Sequence, residues 1–248
     1  MIEICDLRKS YGNHVAVDDL NFKVESGEIL GLVGPNGAGK TTTMRCMTGI
    51  IPADSGSIVI KGHSLREDPV AAKGLMAFVP AEVRLFDHLT VYEHLIFFRR
   101  LYQNSDAPVK DADEMIAELD LTAKRDQLPG ALSRGMKQKL MIGCALIHTP
   151  DVLIMDEPFT GLDPHAIRAM RKLLVARAEA GCSVVISSHL LGMVEDFVTR
   201  ILIIQNGKRV AMGDLAELQS SMGALHEDAD LEEIFIKITG QPAEEQEI

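Results

Sequence analysis

The sequence predicts an α/β protein with a mostly parallel core sheet, an antiparallel β subdomain and an α-helical insertion. Three observations predict it. Apolar runs at residues 27–33, 151–155, 181–187 and 201–204 are bounded by helical or turn segments, as strands buried on both faces should be. Residues 1–60 otherwise read as short β segments broken by turns. From about residue 83 to 145 the period becomes helical.

In chain order, residues 3–7, 20–24 and 57–60 are the strand candidates of the first stretch. Residues 27–33 form a buried strand, followed by a Gly-rich turn and a short helix that Gly49 stops. A strand ends near Val79, and a turn at Pro80 follows it. In the helical stretch, Val91, Leu95 and Phe98 recur at i, i+4 and i+7, and Met115, Leu119 and Leu121 continue it. Pro129-Gly130 breaks it, and a helix over residues 136–147 resumes. Strand 151–155, helix 164–180, strand 181–187, helix 190–199 and strand 201–204 complete the alternation. Helices near residues 214–222 and 231–238 follow, and the acidic end QPAEEQEI is expected to fray.

The chain has 248 residues and a formal net charge of −11, which argues against a broad nucleic-acid surface. Its four cysteines have no metal-like spacing and read as reduced core thiols. Met44, Met47, Met76 and Met141 read as core filler, and the histidines other than His189 as structural or surface residues. The N-terminus lacks the apolar core of a signal peptide, and no apolar run approaches the ~20 residues of a membrane helix. Work at a membrane would therefore need docking to something already there.

Gly34-Pro35-Asn36-Gly37-Ala38-Gly39-Lys40-Thr41 fits G-x-x-x-x-G-K-[ST], and it lies between a buried strand and a helix. Its amides can turn inward around phosphates, with the helix N-terminus adding a positive dipole. Lys40 suits the β- and γ-phosphates, the Thr41 hydroxyl suits Mg²⁺, and Thr42 can serve the α-phosphate. This makes the fold a P-loop NTPase. The apolar strand ending at Asp156 supplies a carboxylate for Mg²⁺, and Glu157, next in line, can polarise the attacking water.

A P-loop is shared by kinases, GTPases and helicases. The segment Leu132-Ser133-Arg134-Gly135-Met136-Lys137-Gln138 narrows the choice, because L-S-R-G-M resembles the LSGGQ signature of ABC ATPases. Four further features stand in that family's order. Tyr11 sits where an aromatic stacks on adenine, and the turn at Pro80 where the Q-loop belongs. Gly161-Leu162-Asp163-Pro164 resembles the D-loop, and His189 after Ser187-Ser188 resembles the switch histidine. The resemblance covers nearly the whole chain.

It implies an ATPase that binds ATP and Mg²⁺ and drives transport through a separate membrane permease, from the cytoplasmic face of the membrane. It implies a core with its β subdomain over residues 1–82 and 146–215, a helical signature subdomain over 83–145 and a C-terminal helical tail over 216–248. Ser133 and Gly135 would donate to a γ-phosphate, Asp163 would lie at a dimer interface, and His189 would meet the γ-phosphate. Since the signature lies far from its own P-loop, each copy would close the ATP of a second nucleotide-binding subunit, either a similar chain or, as expected, a second copy in a homodimer. No nucleic-acid partner is expected. Three departures matter: Arg134 and Met136 replace signature residues, and Ala81 stands where the family has its Q-loop glutamine. L-S-x-G-M-K-Q, with Leu231-Glu232-Glu233-Ile234-Phe235 in the tail, resembles ATPases of bacterial exporters. The alternative is a soluble ABC ATPase working as an assembly or regulatory factor without a permease.

Overall fold

The computed structural model describes residues 1–102, 111–189, 191–221 and 230–240. The first half runs β1 (Ile2–Tyr11), β2 (His14–Val24), β3 (Ile29–Val33), α1 (Lys40–Met47), β4 (Ser55–Ile60), β5 (His63–Ser64), α2 (Pro69–Gly74), β6 (Met76–Val79), α3 (Val91–Leu101) and α4 (Ala112–Glu118). The second runs α5 (Arg134–Leu146), β7 (Val152–Met155), α6 (Pro164–Glu179), β8 (Ser183–Ser187), α7 (Leu191–Val194), β9 (Arg200–Gln205), β10 (Lys208–Gly213), α8 (Leu215–Ser221) and α9 (Leu231–Thr239).

The strands form two sheets. One is antiparallel, in the order β2-β1-β4-β5. The other has the order β10-β9-β3-β8-β7-β6, parallel except for the edge strand β10. Successive side chains of a strand point to opposite faces, so each parallel strand feeds two cores. Leu30, Leu32, Ile154, Val185 and Leu202 pack with Met44 and Met47 of α1 and with the antiparallel sheet. Val33, Leu153, Met155, Ile186 and Ile203 pack with Leu95 of α3, Leu140 of α5 and Phe235 of α9. Burial on both faces is why these strands read as unbroken apolar runs.

Several expectations are corrected. Cys5 is exposed, because the pleat of β1 turns Ile4 inward and Cys5 out; Cys46, Cys144 and Cys182 are buried, and all four are free thiols. The helix expected over 190–199 narrows to Leu191–Val194. Thr199 is drawn out of it by β3, its amide and hydroxyl both donating to the Ile29 carbonyl. Three elements went unread: β5, α2, which Asp68 caps, and β10. The expected fraying of residues 241–248 and the expected helix end at Met222 lie outside the described residues.

Candidate active site

The parallel strands set the site. β3 ends at Val33, and the chain turns through residues 34–39 into α1. The glycines here are sterically required. A Cβ on Gly34 would strike the Ile204 carbonyl, and one on Gly39, at φ +104°, would strike the Ala16 carbonyl. Gly39 caps α1 without a side chain, so the first-turn amides keep their donors for another acceptor. Lys40 is buried, and its Nζ donates to the Gly34 carbonyl at 2.5 Å and the Pro35 carbonyl at 3.3 Å.

β7 lies two strands away and ends at Met155. The Asp156 amide donates to the Val79 carbonyl at 2.8 Å, which carries the ladder with β6 one residue further. The Asp156 carboxylate is only 2 % exposed and accepts from the Ser187 hydroxyl at 2.6 Å. The same Ser187 Oγ accepts from the Glu157 amide at 2.9 Å. Glu157 adopts φ +48°, a left-handed backbone uncommon for a non-glycine residue. Its Oε2 lies 2.8 Å from His189 Nδ1 and accepts from the His189 amide at 3.4 Å. Asp156, Ser187, Glu157 and His189 thus form one hydrogen-bonded chain at the ends of β7 and β8.

That chain faces the phosphate loop across a cleft of about 420 Å³, lined by Tyr11, His14, Ala16, Pro35, Asn36, Gly37, Ala38, Gly39, Lys40, Thr41, Thr42, Glu157 and His189. Tyr11, at the tip of the β1–β2 hairpin, is 49 % exposed, with Lys9 Nζ 5.6 Å from its ring centroid. The cleft joins Tyr11 and nearly all of the phosphate loop to Glu157 and His189. Ser133, Gly135 and Asp163 do not line it. Ser133 is exposed and caps α5, accepting from the Met136 amide at 3.3 Å. Asp163 caps α6, accepting from the Ala166 amide at 2.9 Å; that bond holds its carboxyl below the usual range.

Two participants were missed at the sequence level. Ser187 bridges Asp156 and the Glu157 amide, and His14 lines the cleft. A serine two residues before a motif histidine gave a weak signal for the first; nothing in the sequence marked His14. At the Q-loop position, Ala81 is exposed, and the neighbouring Glu82 carboxylate accepts from Arg84 at 2.7 Å on an exposed surface.

Comparison with known proteins agrees with this geometry. Residues 17–160, more than half of the chain, match the family model described as ABC transporter. The linearmycin resistance ATP-binding protein LnrL of Bacillus subtilis is 35 % identical over 90 % of this chain and 72 % of its own length. The SkfA peptide export ATP-binding protein SkfE of the same organism is 35 % identical over 99 % of both chains. A solved ATP-binding subunit of an ABC transporter superposes with a TM-score of 0.88 at 32 % identity, over 96 % of this chain and 99 % of that one. The chain belongs to the ABC transporter family of ATP-binding proteins, and it is an ATPase.

Proposed function

We propose that this chain hydrolyses ATP in the cleft between its phosphate loop and the Glu157–His189 pair and uses that cycle to power export through a separate membrane permease. The observation that carries the reading is the hydrogen-bonded chain from Asp156 through Ser187 and Glu157 to His189, facing Lys40 and the first turn of α1. Tyr11 offers the adenine a flat surface. The backbone amides of Asn36, Gly37, Gly39, Thr41 and Thr42 cradle the phosphates. Lys40 neutralises the β- and γ-phosphates. Glu157 accepts a proton from the water that attacks the γ-phosphorus, while the bond to the β,γ-bridging oxygen breaks and ADP leaves. His189 orients the Glu157 carboxylate and meets the γ-phosphate.

The residues fit Mg²⁺. Asp156 is a buried carboxylate that accepts from the neutral Ser187 hydroxyl, and with the Thr41 hydroxyl it offers hard oxygen donors. Bound there, the ion would neutralise charge on the β- and γ-phosphates.

Ser133 and Gly135 lie outside their own cleft, which supports a head-to-tail pair with a second copy of this chain, each signature closing the other's ATP and Asp163 lying at the interface. Residues 1–82 and 146–215 would form the ATP-binding core, residues 83–145 would carry the signature, and 216–248 would form the tail. No helix among the described residues is long and apolar enough to cross a membrane, so the chain would dock on its permease at the cytoplasmic face. Export rather than import is supported by the names of similar proteins, the SkfA peptide export ATP-binding protein SkfE and the linearmycin resistance ATP-binding protein LnrL.

The direct test is Glu157→Gln. Turnover should fall by roughly 10²-fold or more, the usual loss for a general base, with ATP binding kept. Hydrolysis at the parent rate would refute the assignment. Co-purification of an integral membrane protein from detergent-solubilised membranes checks the permease.

A further inference from the structure

The loop that carries Glu157 is gripped on two sides. From the β8 side, the Ser187 hydroxyl accepts the Glu157 amide and His189 holds the carboxylate. The other grip comes from α5. Gln138 lies in this helix, is only 2 % exposed, and its Nε2 donates to the Pro158 carbonyl at 3.0 Å. Pro158 is the next residue after Glu157. It has no amide hydrogen, so its carbonyl is the one backbone group by which it can be hydrogen-bonded.

Two more contacts tie α5 to the same loop. A Cβ on Gly135 would lie 3.0 Å from the Gly161 carbonyl, a tight contact that shows how closely the two backbones approach. Gly161 is itself in a left-handed turn at φ +81°, and a Cβ there would lie 2.9 Å from Arg134 Nε. Positions 134 and 138, and 135 and 138, are four and three residues apart, which puts them on one helix face. The unusual backbone at Glu157 therefore sits between two fixed points, Ser187 before it and Gln138 after it.

We infer that Gln138 is a positioning residue for hydrolysis: by holding the Pro158 carbonyl it fixes the left-handed backbone at Glu157 and so places that carboxylate on the attacking water. The inference rests on the reading of Glu157 as the base, and does not depend on the dimer. One consequence is that the helix presenting Ser133 and Gly135 also sets the base of its own chain, so a displacement of α5 is felt at Glu157.

The test uses the full chain with Gln138→Met, Glu157→Gln and the double variant. Methionine keeps length and burial but has no donor. With Gln138→Met, kcat should fall about 10- to 100-fold, the scale of a misplaced catalytic group, while ATP affinity measured by equilibrium binding stays within about twofold. In the Glu157→Gln background, Gln138→Met should cause no further loss of residual single-turnover hydrolysis, because the group it positions is gone. An unchanged kcat, or an equal loss in both backgrounds, would overturn the inference. Parent-like hydrolysis by Glu157→Gln alone would instead remove the reading on which it rests. If Gln138→Met does not fold, Gln138→Glu serves: its carboxyl can donate only when protonated, so its kcat relative to the parent should rise as pH falls. A flat ratio between about pH 6 and about pH 9 would contradict the role.

Discussion

Single residues in this protein show how far local chemistry reads from sequence. Lys40, Thr41, Asp156 and Glu157 were legible because each sits at a fixed offset from a strand end. Ser187 and Gln138 were not, because their partners lie 31 and 20 residues away and only the fold brings them together. Thr43 went equally unnoticed. It is fully buried, and its hydroxyl has no hydrogen-bond partner among the described residues. Thr43→Val should remove that unpaired group and stabilise the chain by about 1 kcal/mol, raising Tm by about 2–4 °C in a thermal melt. A lower Tm would show that the hydroxyl is satisfied in solution. Ala81 is a different kind of residue, since its side chain has no oxygen to offer at the end of β6, and the adjacent Glu82 is engaged by Arg84. Hydrolysis should survive that absence with coupling altered, so Ala81→Gln should change basal or permease-stimulated ATPase by at least about twofold. Unchanged rates in both assays would contradict the importance of this turn.

At the scale of elements, periodicity was read well, and caps and turns less well. α3 begins with a full capping box, Thr90 and Glu93 each bonding the other's backbone amide, and the capping contact holds the Glu93 carboxyl below its usual range. The strand β10 was overlooked although Asn206-Gly207 announces it, both residues having positive φ as a two-residue hairpin requires. Its exposed Lys208 and Arg209 hid the strand, because an edge strand need not be apolar. The junction between α3 and the approach to β7 was illegible for another reason. Tyr102, after α3, stacks on His148, after α5, with ring centroids 3.6 Å apart. Burial pushes the His148 imidazole down to about 4 from an ordinary value of 6.5. The folded state therefore binds fewer protons than the unfolded state between those values, so the stability is complete above about pH 6.5 and falls as pH drops toward about 4. The loss reaches at most about 3 kcal/mol. His148→Phe should flatten this part of the pH–stability curve measured by chemical denaturation; an unchanged slope would place the acid sensitivity elsewhere.

For the whole molecule, the two-sheet plan puts the phosphate loop and the Glu157–His189 pair at the ends of neighbouring parallel strands, while α5 presents Ser133 away from that cleft. The mostly parallel sheet was legible because strands buried on both faces leave unbroken apolar runs. The family resemblance implied a shared site, and the assembled cleft, which Ser133 and Gly135 do not line, supports it; no spacing in the sequence by itself says which side of the molecule a helix N-terminus faces. In the proposed dimer, one copy's phosphate loop works with another copy's signature. Lys40→Ala disables the loop of a chain, and Ser133→Arg disables its signature. Each variant alone should be inactive, because every site in its homodimer lacks one half. Measured in a mixture of the two, ATPase activity should return, since the mixed dimer contains one site with an intact Lys40 and an intact Ser133. If the mixture stays as inactive as its components, or if Ser133→Arg alone hydrolyses ATP at the parent rate, the shared-site account is contradicted.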